Sequence, residues 1–133
     1  MNLSLFYVKS LIFLLQSPYI VFQFLYKGKT KMIDIKNSDP KIIDDTFYNE
    51  VHQFAALDFE VGKHNGKLAQ KGSPLERIRV DHQRLSQLMK EKQAIISPIP
   101  TPNQLDIVYK LSYQGQEYLL DSESISDIIK FLG

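Results

Sequence analysis

The chain reads as an α+β fold in which an antiparallel helical hairpin is followed by a β-hairpin and a short C-terminal helix. Three observations predict it. Apolar residues recur at steps of three and four in two stretches, Ile43 to Val61 and Leu75 to Met89, which is the stripe of an amphipathic helix. Leu105 to Leu120 alternates apolar and polar side chains about Gln114-Gly115, the pattern of two strands and a tight turn. Asp121-Ser122-Glu123-Ser124 then stands before Ile125, Ile128, Ile129 and Leu132, a cap followed by one apolar helical face.

Residues 1–31 differ from the rest in composition. Leu3 to Tyr26 is rich in Leu, Phe, Ile and Tyr, but the run Leu11 to Leu15 breaks at Gln16-Ser17-Pro18 and resumes only from Tyr19 to Phe22. A spanning helix needs about 20 mostly apolar residues, and a lone span does not accommodate such a break well. A secretory signal fits poorly too, because the charge lies at Lys9 and no small-x-small cleavage site follows. Lys27-Gly28-Lys29-Thr30-Lys31-Met32 is encoded with the layout of a bacterial ribosome-binding site read in frame. The expectation is therefore a mis-annotated leader or weak membrane segment over 1–31 and a single small α+β domain over 32–133, located in the cytoplasm. Membrane contact is expected only if residues 1–26 are translated and insert. Lys27, Lys29 and Lys31 would then hold the C-terminal domain on the cytoplasmic side of the inner membrane.

From Met32 onward nine Lys and three Arg face fifteen acids, a net charge of −3. So acidic a balance carries no broad basic field for nucleic acid. The chain has no Cys, which excludes disulfides, thiolate metal sites and Cys nucleophiles.

Met32 to Ile35 reads as a short strand or an ordered lead-in. Asp39-Pro40 predicts the start of the first helix, with Asp39 as cap, an apolar stripe through Ile43, Phe47, Val51, Phe54, Leu57 and Val61, and Gly62 as the stop. That helix is expected to run about 22 residues, roughly 33 Å. Ser73-Pro74-Leu75-Glu76 is a full capping box and opens a second helix to about Gln93, with Arg77 and Asp81 paired four apart. Matching lengths across a Gly-punctuated connection predict the antiparallel hairpin. Ser97 to Asn103 carries three prolines and is expected to be a stiff extended connector rather than a helix or central strand. A hairpin from Leu105 must then pack on the helices or find another strand.

Candidate chemistry is sparse. His52, His64 and His82 lack the close spacing of a metal motif, and no metal or other cofactor is indicated. Lys63, His64, Lys67 and Lys71 lie in the Gly-rich connection and are the candidates for a ligand or phosphate, although no Walker spacing accompanies them. Asp44-Asp45 and Asp121-Ser122-Glu123 read as helix caps rather than a calcium loop. No Gly-x-Ser-x-Gly elbow or acid–base pair points to an enzyme. The sequence thus predicts a small non-enzymatic protein-interaction module, such as an accessory, adaptor, inhibitor or chaperone-like protein. Its partner would meet the helix-pair seam at His82, Leu85, Leu88 and Met89, or the hairpin edge. The short seam also predicts a homodimer, because one helix cannot cover it. The rival class is a nucleic-acid-associated regulator using Lys63, Lys67 and Lys71 with Arg77, Arg79 and Arg84.

Overall fold

The computed structural model describes residues 32–102 and 106–132. The expectations for residues 1–31, and the predicted strand start at Leu105, lie outside the described residues.

Asp44 has an extended backbone and accepts the Phe47 N–H at 2.8 Å, which starts α1 (Asp45–Lys63). The cap is thus Asp44 and not Asp39. Asp39 instead takes the Lys41 N–H on its side chain and the Ile43 N–H on its carbonyl, each at 2.9 Å, and closes a separate turn. The break at Asp44 lets Ile43 reach the core from that turn. At the other end α1 passes through Gly62, and left-handed backbone first appears at Gly66.

Ser73 caps α2 (Pro74–Glu91) by accepting the Glu76 N–H at 3.2 Å, with Pro74 in the first turn. The reciprocal half of the box is shifted. Glu76 reaches the Gly72 N–H at 2.5 Å, because the Ser73 N–H is already donated to Gln70 O at 3.0 Å. Gly72 has a φ of +80°, a conformation that disfavours any side chain. The two helices run antiparallel, as three cross-links show: Glu50 faces Lys92, Asp58 faces His82, and the His64 carbonyl accepts from Arg79. The predicted Arg77–Asp81 pair does not form. Arg77 donates to Gly72 O, and Asp81 pairs with Arg84 at 3.7 Å.

The sheet is mixed, in the order β1 (Ile33–Asp34), β4 (Gln116–Leu119), β3 (Tyr109–Tyr113), β2 (Ile95–Pro98). β1 lies parallel to β4 and the other pairs are antiparallel. Gln114 and Gly115 both have positive φ, which makes the two-residue turn whose twist suits a hairpin. Two expectations are corrected here. The predicted strand begins at Tyr109, so Asp106 to Val108 are outside it, and Ser97 and Pro98, the first two residues of the predicted connector, close β2. Register explains why Pro98 is tolerated. Ile99 donates to Val108 O at 2.8 Å, directly opposite, so Ser97 and Ile95 also turn their backbone groups towards β3. Ile96 and Pro98 turn theirs outward, and the missing Pro98 N–H removes nothing from the ladder.

Asp121 caps α3 (Ser122–Leu132) through bonds from the Glu123 N–H and the Ser124 hydroxyl. One face of the sheet forms the core: Ile33, Tyr118, Leu111 and Ile96 make one row across it, and Leu120 and Tyr109 lie in the next. α1 packs against both α2 and α3 and presents Phe47, whose ring lies 4.8 Å from that of Tyr113. No helix among the described residues is long and apolar enough to cross a membrane.

Candidate functional site

A groove lies where the end of α2 meets β2. It measures about 540 Å³ and is walled by Phe54, Met89, Ala94 and Ile96, with Ser86, Lys90 and Gln93 as its polar members. β2 is the sheet's edge on this side, and among the described residues no strand lies beyond it. Ile96 therefore turns both an N–H and a C=O outward, and Pro98 a C=O alone. Ile95, on the opposite face, is 65% exposed. Gln93 makes the corner: its φ is +56°, and the Ala94 N–H folds back to Met89 O at 2.9 Å. That is a left-handed helix cap, usually a glycine position.

The predicted seam residues divide. Leu85 and Met89 are buried in the core, and Leu88 is packed against it. Leu85 and Met89 are thus covered within the fold, whereas Leu88 is only partly buried and the His82 side chain is 23% exposed. Met89 also lines the groove between α2 and β2.

His82 is tied into a three-element joint. Its Nε2 lies 3.0 Å from Asp58 Oδ1, the Tyr109 hydroxyl donates to Asp58 Oδ2 at 3.0 Å, and the Phe54 ring stacks on the imidazole. Burial, reinforced by the Asp58 charge, pushes the Tyr109 phenol well up, so the hydroxyl remains a donor. The carboxylate orients an imidazole as it would in a catalytic pair. The hydroxyl that joins them, however, binds the carboxylate and not the imidazole.

The basic connection is also engaged. Lys63 and His64 both approach Glu60, at 3.5 and 3.6 Å. Arg79 donates to the carbonyls of His64 and Lys67, which fixes the loop's path. Lys67 and Lys71 are exposed. Of the arginines in the rival reading, Arg77 and Arg79 hold loop carbonyls and Arg84 pairs with Asp81.

His52 is wholly buried. Burial lowers its pKa and keeps it neutral. Its Nε2 accepts the Asp121 N–H at 2.9 Å, so Nδ1 carries the proton and donates to Tyr48 O at 2.7 Å. Among the described residues no group of three or more His, Cys, Asp or Glu is placed to hold a metal ion. Compared with known proteins, the chain matches no family model, no curated protein and no solved structure.

Sequence reading missed Phe54, Gln93, Ala94 and Ile96 as surface-forming residues. The available signal was Ile95-Ile96, a β-branched pair directly after a helix end and before a proline, which fits an edge strand.

Proposed function

We propose that the protein is a non-enzymatic interaction module that binds an extended, apolar segment of a partner protein along β2. The outward N–H and C=O of Ile96, set beside the apolar groove, carry this reading. Strand addition supplies backbone hydrogen bonds, and alternate side chains of the added segment fill the groove. The edge favours a foreign segment over a second copy. Antiparallel β2–β2 pairing about Ile96 would set Pro98, which has no N–H, against Ala94, whose N–H is already donated to Met89 O. Only the two Ile96 bonds would form, whereas a foreign strand also donates to the Pro98 carbonyl.

Ile96→Pro tests the reading. It deletes the outward donor and leaves the β3 ladder whole, as Pro98 already does one step along. Affinity capture from the native host should return a partner with the wild-type chain and lose it with an Ile96→Pro chain that still melts cooperatively, at a Tm lowered by the lost Ile96 packing. A Lys63/Lys67/Lys71 triple Ala variant should still capture it. Capture that survives Ile96→Pro but fails in the triple variant and at raised salt would support phosphate recognition instead.

A further inference from the structure

We infer that the Asn65–Gly66 peptide, in the α1–α2 connection, is a site of spontaneous covalent modification. The asparagine loses ammonia there and becomes aspartate or isoaspartate, the reaction that makes this residue thermolabile. The Gly66 nitrogen, its proton passing to solvent, attacks Asn65 Cγ and closes a five-membered imide. The side-chain nitrogen departs as ammonia. Water then adds to either imide carbonyl and opens the ring. One product is a normal aspartyl bond, and the other is an isoaspartyl bond whose main chain runs through the side-chain carbon. Water is the only co-reactant.

Asn37, Asn49 and Asn65 are all exposed, and the fold treats the nitrogen that follows each of them differently. The Ser38 N–H after Asn37 is donated to Ile35 O at 3.1 Å. The Glu50 N–H after Asn49 lies inside α1 and belongs to the helical ladder. The Gly66 N–H is donated to no described group, although it sits in a turn that the Lys67 N–H closes onto His64 O at 3.1 Å. A bonded N–H must be released by local opening before it can react, so the fold shields Asn37 and Asn49 and leaves Asn65 unshielded. Gly66 adds a second advantage. It has no side chain to crowd the approach, and its φ of +83° is one that glycine adopts readily.

The rearrangement bears on how α1 is joined to α2. Arg79 holds the His64 and Lys67 carbonyls, which flank the reacting pair. An isoaspartyl bond inserts an extra main-chain carbon between those two carbonyls, whereas an aspartyl bond keeps the original spacing. The isoaspartyl product should therefore release the Lys67 N–H from His64 O, and the aspartyl product should not. Both products add a negative charge to a connection that carries Lys63, Lys67 and Lys71.

Peptide mapping of the full chain tests this. The chain is held at mildly alkaline pH in heavy-oxygen water, both folded and unfolded in guanidinium chloride. Mass spectrometry with electron-transfer fragmentation then separates the aspartyl from the isoaspartyl product. In the folded chain Asn65 should convert at least about tenfold faster than Asn37 or Asn49, taking up a solvent oxygen. Unfolding should speed Asn37 and Asn49 and leave the Asn65 rate unchanged within about threefold. Gly66→Ala should slow Asn65 in both states. Hydrogen exchange at the Lys67 amide should lose protection in the isoaspartyl chain and keep it in the aspartyl chain. An Asn65 rate that unfolding raises further than this overturns the proposal, because the fold would then be protecting the site. So does conversion of Asn37 or Asn49 at the Asn65 rate in the folded chain. Ile96→Pro should change none of these rates, so this site and the β2 surface stand or fall separately.

Discussion

Acid should weaken this fold through His52, and a variant isolates the effect. The neutral imidazole bridges α1 to the start of α3, accepting from the Asp121 N–H and donating to the Tyr48 carbonyl. A protonated ring would set a donor against the Asp121 N–H in a site that is 1% exposed. Burial therefore holds the folded pKa below the unfolded value of 6.5. Unfolded chains then bind the proton first, and stability falls as pH drops below about 6.5, flattening only below the folded pKa. The steepest slope for one proton is about 1.4 kcal/mol per pH unit. Asp121 does not confuse this window. Burial pushes its carboxyl up, but the Ser124 hydroxyl and the Lys36 charge outweigh that and hold it low, so its own contribution is lost only near and below the usual carboxylate range. Replacing His52 by Leu removes the titrating group and leaves the Asp121 N–H without its acceptor, at a cost of about 1–3 kcal/mol near neutrality. The gap between wild type and His52→Leu should therefore narrow from pH 7 to pH 5. Each kcal/mol should appear as roughly 4–8 °C in Tm for a domain of this size. Urea unfolding at each pH gives the same quantity. A gap that stays constant or widens on acidification refutes the reasoning, because all other titrating groups cancel in the difference.

Three further outcomes follow from particular residues. Gln93→Gly should stabilise the fold by about 1 kcal/mol, because the left-handed corner after α2 then carries no side-chain penalty; Gln93→Ala, measured by the same urea midpoint, should give no such gain. Tyr109→Phe keeps the buried ring and removes the hydroxyl that holds Asp58, and should lower stability by about 1–2 kcal/mol. Its partner-binding should be unchanged, since Tyr109 is outside the groove. Residues 32–133 expressed alone should unfold in one cooperative thermal transition, because the buried side chains of α1, α2, α3 and the sheet within that span pack into one continuous core. A gradual, non-cooperative melt would show that the core needs more of the chain.

What could be read from the sequence was the information carried by neighbouring residues. The Ser73-Pro74 start, the Gln114-Gly115 turn and the α3 cap are each written within four residues, and each stands where the pattern put it. Asp39 misled because Asp44 offers a second cap five residues on, and which one opens the long helix depends on Ile43 reaching the core. Arg77–Asp81 failed for a related reason: a helical spacing permits the pair, but a left-handed Gly72 brings a bare carbonyl within reach of Arg77. The site was less legible than the fold. His82 and Met89 were singled out on one stripe, yet their roles are set by Asp58, Tyr109 and β2, which lie far away in sequence.

The proline that concealed β2 also constrains what β2 can bind. Read as a local signal, Pro98 with Pro100 and Pro102 excludes a central strand, and that inference holds. It does not exclude an edge strand whose N–H at that position points away from its neighbour, a fact of register that depends on Val108 lying opposite Ile99. Once the register is known, the same residue limits self-pairing. An edge with unbroken alternate donors invites a second copy, and charged or proline residues are a common way to discourage that. Here one donor, at Ile96, is left between a proline and an N–H already spent on the helix end. Two such edges satisfy each other poorly, while a partner strand that brings its own donors loses little. On the proposed reading, selectivity for a different chain over a second copy would rest on this arrangement of three backbone positions, and Ile96→Pro removes the last of the donors involved.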